Sequence, residues 1–293
     1  MPISGAVLDH VAVAVERWAE AWPRYVSGLG GNWASGGFNV GFAPAQLAFA
    51  NGARLEVLQP WQTEANDFLR RFLDSSGPGP HHLTFKVPDI EAALQAVQAA
   101  GLTPVSVDLS EDDWKEAFLH PRQATGTVVQ LAQAAGTWES VPPEGFPKSS
   151  AAPADLAHVT HVVADWDSAV ALFVGLLGGT IQSEQRASPS GWRTATVSWA
   201  GPLRLRLVAA GSNGPADSSL RSWLGGRNGR VHHLAFRRTG APGEEKAETG
   251  PVPGVLVGEH VVEQIPPENN HGTRLVVLGG AAPAASRASD GAR

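Results

Sequence analysis

The sequence contains no cysteine among its 293 residues. Disulfide bridges, thiolate nucleophiles and thiolate metal sites are therefore excluded, and any metal ion would need histidine and oxygen ligands. Positive charge is also scarce, because 22 lysines and arginines stand against 28 aspartates and glutamates, and no basic patch occurs along the chain. The resulting formal net charge of −6 argues against a nucleic-acid partner.

Long hydrophobic runs are absent as well. The longest apolar run, residues 169–177, contains Gly175 and is too short for a hydrocarbon core about 30 Å thick, so we expect no membrane partner. The first ten residues have neither the basic nor the apolar region of a signal peptide, and the expected location is the cytoplasm. Apolar residues make up 43 % of the chain, which is enough for folded cores.

The chain repeats itself. LDHVAVAV at residues 8–15 corresponds to AHVTHVVAD at residues 157–165, and PHHLTFKV at residues 80–87 corresponds to VHHLAFRR at residues 231–238. Within the first half, histidine opens an apolar strand pattern twice, so each half is itself doubled. We predict an α+β protein of four βαβββ modules, arranged as two tandem domains.

Composition suggests where these domains begin and end. The predicted first domain covers residues 5–135 and the second covers residues 155–279. Between them, residues 136–154 are rich in proline, glycine, serine and alanine and read as a linker. Residues 280–293 contain no large apolar side chain and are expected to be a disordered tail. In the fourth module, residues 240–253 carry Pro-Gly and Gly-Pro pairs, which predict a loop in place of a helix.

Four apolar strands each carry one polar residue that could point inward. These residues are His10, Glu56, His82 and Gln130. A buried carboxylate costs several kcal/mol unless it is paired or coordinated, and a divalent cation held by two imidazoles and Glu56 would satisfy it. The alternative is a purely structural role, in which the histidines are hydrogen-bonded core residues and Glu56 faces water. In the His81-His82 pair, symmetry with His10 selects His82, and His81 is expected to point to the other face.

The stretches LDHVAVAV, ARLEVLQP, NDFLRRFLDSSGPGPHHLTFKVPDIEAALQAVQAAG and EAFLHPRQATGTVVQLAQ together resemble the vicinal oxygen chelate superfamily. This superfamily includes glyoxalases, methylmalonyl-CoA epimerases, extradiol dioxygenases and fosfomycin or bleomycin resistance proteins, and the resemblance is closest to its epimerase and glyoxalase-like branch. It covers residues 8–133 and, more faintly, residues 156–279.

The resemblance implies paired βαβββ modules that close around a cavity, with a divalent metal ion that two substrate oxygens chelate. Carried over to this sequence, the ligands fall on His10, Glu56, His82 and Gln130. The metal would be Zn, Ni, Co, Mn or Fe, since imidazole and oxygen ligands suit all of these ions.

Two departures from the family pattern concern proton transfer. Where the family usually has glutamate, Gln130 can coordinate through its carbonyl oxygen but cannot accept a proton. The second acid of the epimerases is also missing, because residues 35–47 contain no aspartate or glutamate. Two-base epimerisation is therefore disfavoured, and a metal-bound water or Glu56 is left as a single catalytic base.

The second half differs more strongly. His158, Arg206, His233 and Val276 align with the four candidate ligands of the first half. Arginine is not a normal metal ligand and valine has no donor atom, so we expect that this half has lost its metal and packs against the first half or covers it. Alternatively, Arg206 binds an anionic group of the substrate.

Two further residues are candidates for substrate binding. His120 and Arg122 immediately precede the last strand of the first domain, where a loop at the mouth of the cavity could meet substrate. Surface-loop residues without such a role give the same pattern.

These observations predict a divalent-metal-dependent isomerase or lyase that acts on a small oxygen-chelating substrate. One alternative is an extradiol-type Fe(II) dioxygenase, because two histidines and one carboxylate with open positions suit ferrous iron. A second alternative is a non-catalytic protein that binds a drug or metabolite. The two domains could complete each other within one chain, or the chain could form a homodimer.

Overall fold

The computed structural model describes residues 1–136, 139–185, 191–210, 215–238 and 251–280. Within these ranges, fifteen strands form two mixed sheets, one of eight strands and one of seven. Few helices accompany them, and the arrangement is that of two tandem α+β domains. No helix among the described residues is long and apolar enough to cross a membrane.

The first sheet has the strand order β2-β3-β4-β1-β5-β8-β7-β6. β1 pairs in parallel with β4, β5 pairs in parallel with β8, and β1 and β5 join the two modules as antiparallel neighbours. The eight strands are β1 (Val7–Ala14), β2 (Asn32–Gly36), β3 (Gly41–Ala48), β4 (Arg54–Trp61), β5 (Gly79–Lys86), β6 (Pro104–Asp108), β7 (Trp114–Leu119) and β8 (Val128–Ala134).

The second sheet follows the same topology in the order β10-β11-β12-β9-β13-β15-β14, but among the described residues it has no counterpart of β6. Its strands are β9 (Asp155–Val163), β10 (Thr180–Gln185), β11 (Arg193–Ser198), β12 (Arg204–Ala209), β13 (Gly229–Arg237), β14 (His260–Ile265) and β15 (Leu275–Gly279). The helices of both domains are α1 (Trp18–Trp22), α2 (Phe68–Ser76), α3 (Ile90–Ala99), α4 (Trp166–Val170) and α5 (Pro215–Leu224). π-helical turns continue α1 and α4 at Pro23–Gly28 and Ala171–Leu176, and a 3-10 turn covers Pro267–Asn269.

Several sequence predictions can be compared with these bounds. Apolar residues at 90, 94 and 97 behind Asp89 predict a helix with Asp89 as its N-cap. This prediction is confirmed, because α3 begins at Ile90 and the Asp89 side chain accepts a hydrogen bond from the Ala92 backbone at 3.0 Å. The loop expected at residues 240–253 and the tail expected at residues 280–293 fall almost entirely outside the described residues. Only their ends are described, and no helix or strand lies there.

Alternation of side chains gives each sheet two different faces. On β1, Val11 and Val13 belong to the large core, whereas Ala12 and Ala14 belong to a separate small cluster on the opposite face. We call the face of the first sheet that carries His10, Ala12 and Ala14 the site face. The other face packs against helices and against the second domain.

One continuous apolar core joins the two domains. Phe85 of the first sheet packs against Trp199 at a ring distance of 5.1 Å. The backbones also interlock, because a Cβ atom at Gly126, whose φ is +87°, would collide with the backbone of Gly229. Next to this contact, the Thr125 carbonyl lies 2.8 Å from Nε2 of His161. The second domain therefore packs directly against the first one.

Candidate metal centre

Strand register brings together three of the four candidate ligands. β1 lies between β4 and β5, and Ala12 of β1 is paired with both Glu56 and His82. The ligand atoms of His10, Glu56 and His82 all lie within 4.8 Å of one another. Oε2 of Glu56 is 3.5 Å from Nε2 of His10 and 3.6 Å from Nε2 of His82. A single cation could therefore contact all three groups.

The two imidazole nitrogens that face Glu56 are unsatisfied. Nε2 of His10 and Nε2 of His82 are buried and have no hydrogen-bond partner among the residues that the structure describes. Buried polar atoms normally have a hydrogen-bond partner, so these two nitrogens indicate that a bound group belongs at the centre of the cluster. Two neutral imidazoles and one carboxylate are a common ligand set for Zn, Fe and related divalent ions. The residues present fit a divalent metal ion.

Hydrogen bonds behind the histidines orient them for this role. Oδ2 of Asp9 accepts a hydrogen bond from Nδ1 of His10 at 2.7 Å. Nδ1 of His82 lies 2.7 Å from Nδ1 of His81, so one of these rings donates to the other. When His82 donates, the lone pair of its Nε2 points toward the cluster, as does that of His10 in its neutral form. Such outer partners commonly fix the tautomer of a metal-binding histidine.

The expectation that His81 points to the other face of the sheet is wrong. The register of β5 against β1 shifts between His82 and Pro80, which places an irregularity at His81. As a result, the His81 ring lies on the site face and contacts Phe72 of α2 at 4.6 Å between ring centroids. The simple alternation of a regular strand does not hold at this position.

The charges of the cluster are strongly coupled in the metal-free protein. Burial alone would lower the pKa of His10, but the carboxylates of Glu56 and Asp9 raise it to about 9. Burial opposes ionisation of Glu56, yet His10 above all lowers the pKa of that carboxyl to about 2. Burial and the neighbouring His81 hold the pKa of His82 well below its usual 6.5. At pH 7 Glu56 is therefore ionised and His82 is neutral, as metal binding requires, whereas a metal ion would have to displace the proton of His10.

The amide of Gln130 lies on β8, next to this cluster. Thr84 pairs with Gln130 in the parallel register of β5 and β8, and its hydroxyl donates to Oε1 of Gln130 at 2.6 Å. On the other side, Nε2 of Gln130 donates to Oε2 of Glu116 at 2.6 Å. Gln130 also interacts with His82, which raises the pKa of that imidazole against the stronger effect of burial.

Polar and apolar groups complete the surroundings of Glu56. Nε2 of Gln46 on β3 donates to Oε1 of Glu56 at 3.3 Å, so the two carboxylate oxygens face different neighbours. Beyond the cluster, Leu69 and Leu73 of α2 pack against Leu58 and close the site face there. Glu56 is only 8 % exposed.

Sequence and structure comparisons agree with this architecture. Residues 9–118 match the glyoxalase, bleomycin resistance protein and dioxygenase superfamily. This match lies within the first domain, which is therefore similar in sequence to the superfamily. No curated protein sequence matches the chain.

Three solved structures are similar to this chain. A hypothetical protein from Bacillus halodurans C-125 is 26 % identical over 47 % of this chain and 100 % of its own, with a TM-score of 0.42. Methylmalonyl-CoA epimerase from Mycobacterium tuberculosis is 27 % identical over 44 % of this chain and 89 % of its own, with a TM-score of 0.40. A triple mutant of 4-hydroxymandelate synthase from Streptomyces coelicolor is 17 % identical over 81 % of this chain and 72 % of its own, with a TM-score of 0.57. This last likeness shows the fold alone.

The loop residues named as substrate contacts are not part of the buried cluster of His10, Glu56 and His82. His120 and Arg122 are exposed, and Nδ1 of His120 accepts a hydrogen bond from the Arg122 backbone at 3.2 Å. The carbonyl of Arg122 accepts a hydrogen bond from Asn228, so this loop lies at the junction with the second domain. A role of His120 and Arg122 in substrate binding stays a prediction.

In the second domain, an internal ion pair occupies the equivalent place. Arg206 donates to Oε2 of Glu259 at 2.6 Å and to the carbonyl of Gly254 at 2.7 Å. Arg237 donates to the other oxygen of Glu259 at 2.9 Å. These groups are buried, and the guanidinium of Arg206 is held by the protein itself. Substrate binding by Arg206 stays a prediction.

The histidines of the second domain also differ in their partners. His158 and His233 stand where the first domain has His10 and His82, but Nε2 of His233 lies 3.0 Å from the hydroxyl of Thr160. Burial, together with the positive charge of Arg206, holds the pKa of His158 well below 6.5. Among the described residues, the cluster in the first domain is the only group of three histidine or acidic side chains arranged for a metal ion.

Sequence reasoning missed Glu116 and Gln46 on the site face. The signal of Glu116 was available only through strand register, because Glu116 lies two residues from Phe118, which pairs with Gln130. Gln46 pairs directly with Glu56. Gln46 is the one polar residue of the apolar run 41–50, so the pattern that selected the four ligands could also have selected it.

Proposed function

We propose that the first domain binds one divalent metal ion through His10, Glu56, His82 and Gln130 and is a metal-dependent isomerase or lyase. Its substrate would be a small molecule that chelates the ion through neighbouring oxygens. The observation that carries this proposal is the convergence of two unsatisfied imidazole nitrogens on one ionised carboxylate. The match of residues 9–118 to the glyoxalase, bleomycin resistance protein and dioxygenase superfamily supports it.

The bound ion would act as a Lewis acid that polarises a substrate carbonyl and so acidifies the adjacent C–H bond. Glu56 is the base of this proposal. Its Oε1 accepts a hydrogen bond from Gln46, whereas its Oε2 faces the two imidazoles. The C–H bond breaks, its electron pair stays on the substrate, and Glu56 holds the proton until the proton is returned. Burial of the cluster keeps bulk water from competing for that proton.

Proton exchange tests this function without a known substrate. Metal-free protein is loaded separately with Mn²⁺, Co²⁺, Ni²⁺ or Zn²⁺ and incubated in D₂O with a panel of small 2-oxo acids, 2-hydroxy ketones and acyl thioesters. We expect metal-dependent incorporation of deuterium at the carbon next to a carbonyl. Proton NMR measures this incorporation. The His10→Ala/His82→Ala double variant should abolish it. Exchange that persists in this variant, or that occurs with no ion, contradicts the proposal.

A second candidate is an Fe(II) dioxygenase. Two histidines and one carboxylate within 4.8 Å are the ligand set that ferrous iron uses with dioxygen when positions stay open. In this case oxygen uptake would require Fe²⁺ and a catechol-type or 2-oxo acid substrate, and Zn²⁺ would not replace iron. Exchange with Zn²⁺ and no oxygen uptake with Fe²⁺ would favour the isomerase or lyase.

A further inference from the structure

Glu116 was not expected at the site, yet its carboxylate contacts the side chain that departs most from the family pattern. We propose that Glu116 is a positioning residue that turns the amide nitrogen of Gln130 away from the cluster, leaving the carbonyl oxygen on the side of Thr84 and His82 as the fourth ligand. This inference rests on the proposed metal site.

The hydrogen bonds leave Gln130 one orientation. An ionised carboxylate can only accept, so the group that Gln130 presents to Glu116 must be its NH₂, at 2.6 Å. The Thr84 hydroxyl then donates to the carbonyl oxygen at 2.6 Å. A carbonyl oxygen has two lone pairs, and Thr84 uses one of them. One lone pair is left for a cation.

Thr84 could not select this orientation by itself. A hydroxyl can accept as well as donate, so Thr84 would also hold a flipped amide whose NH₂ faced the cluster. An NH₂ group has no lone pair for a cation and would point positive hydrogens at it. Glu116 excludes this flipped orientation of Gln130. The carboxylate of Glu116 is in turn held in place, because the indole of Trp114 donates to its Oε2 at 2.9 Å.

The second domain lacks this arrangement as a unit. Strand register matches Thr84 with Ala235, Gln130 with Val276 and Glu116 with Val261. The three counterparts pack together in one apolar cluster. The polar trio of Thr84, Gln130 and Glu116 is therefore present in the first domain, which also has the metal-compatible cluster. It is replaced as a whole in the second domain, which lacks that cluster among its described residues. A trio that served only to hold the sheet together would not need to change in this way.

Cobalt binding tests the proposal. Metal-free wild type, Glu116→Val, Glu116→Gln, Gln130→Leu and the double variant Glu116→Val/Gln130→Leu are titrated with Co²⁺, with calorimetry for affinity and visible absorption for the coordination of the ion. Loss of an outer partner typically weakens metal binding about 10- to 100-fold. We expect Glu116→Val and Gln130→Leu to weaken binding at least about tenfold and to change the spectrum in the same way.

Two further results follow from positioning. Glu116→Gln should restore affinity and spectrum, because the indole of Trp114 selects the carbonyl oxygen of the new amide and that oxygen can still accept from Gln130. The double variant should bind no more weakly than Gln130→Leu, because both changes remove the same ligand. Lys115→Leu, next to Glu116 on β7, is the control and should bind like wild type. If Glu116→Val fails to fold, Glu116→Asp, which is too short to reach Gln130, replaces it with the same expected loss.

Specific outcomes overturn the inference. If Glu116→Val keeps wild-type affinity and spectrum, or if its effect adds fully to that of Gln130→Leu, Glu116 does not position the amide. If Gln130→Leu binds Co²⁺ like wild type, the amide is not a ligand, although the metal site of His10, Glu56 and His82 stands. If wild type itself takes up no Co²⁺, the metal site falls and this inference falls with it.

Discussion

The two domains of this chain set equivalent pairs of histidines in opposite electrostatic surroundings. In the first domain, His10 and His82 face the carboxylate of Glu56. In the second domain, the corresponding position on β12 is Arg206, which is neutralised by Glu259. One cluster offers ligands to a cation, and the other already contains a cation supplied by the protein.

The two domains also differ at the residue of the first strand that pairs with the second histidine. Ala12 pairs with His82 in the first domain, and Thr160 pairs with His233 in the second. The hydroxyl of Thr160 reaches Nε2 of His233, whereas Nε2 of His82 has no partner among the described residues. The comparison teaches that a shared sheet does not decide whether a site can bind metal. A few substitutions on one face decide it.

The largest effect is expected from breaking the internal ion pair of the second domain. Glu259→Gln would remove the carboxylate that both Arg206 and Arg237 contact and leave these two guanidinium groups buried without it. Removing one partner of a buried ionic network typically destabilises a protein by about 3 to 5 kcal/mol. Chemical denaturation measures this loss, with Glu263→Gln as the control. A loss below about 1 kcal/mol would show that the pair is not what holds Arg206 in place.

The protonation of the two sites should differ in the metal-free protein. With a pKa of about 9, His10 is protonated at pH 7, whereas His158 is neutral because its pKa lies well below 6.5. Since folding raises the pKa of His10 above 6.5, its contribution to stability is complete below pH 6.5 and is lost as pH rises through 9. This contribution amounts to roughly 3 kcal/mol. Imidazole ¹⁵N NMR reports both states, and a neutral His10 at pH 7 would refute this account.

A smaller change should transfer one feature of the second site to the first. Ala12→Thr places a hydroxyl where Thr160 stands opposite His233, so it should occupy Nε2 of His82. We expect Co²⁺ affinity to fall about tenfold, which corresponds to about 1.4 kcal/mol. Ala12→Val has nearly the same shape without the hydroxyl and is the matched control. Equal affinities for the two variants would mean that the hydroxyl does not compete with the ion.

The ligand strands could be predicted from the sequence because their signal is local. His10 and His82 each interrupt a short apolar strand, and the internal repeat confirms which positions correspond. Asp89 likewise marked the start of α3 through its own side chain. Such features depend on a few neighbouring residues, so periodicity and capping rules detect them.

Other parts of the site depend on contacts between distant segments. Glu116 becomes relevant only because β7 pairs with β8 in one register, and Glu259 only because its segment folds onto Arg206. The position of His81 follows from an irregularity in the pairing of β5 with β1. Pairing of strands and irregularities within them are tertiary features that no local pattern specifies.

The most direct test of the central claim is a count of metal ions per chain. Metal-free wild type, Glu56→Gln and the exposed-residue control Glu64→Gln are dialysed against Co²⁺, and the bound ion is measured by elemental mass spectrometry. The account predicts about one ion per chain for wild type and for Glu64→Gln, and almost none for Glu56→Gln. No bound ion in wild type, or an undiminished ion in Glu56→Gln, would contradict it.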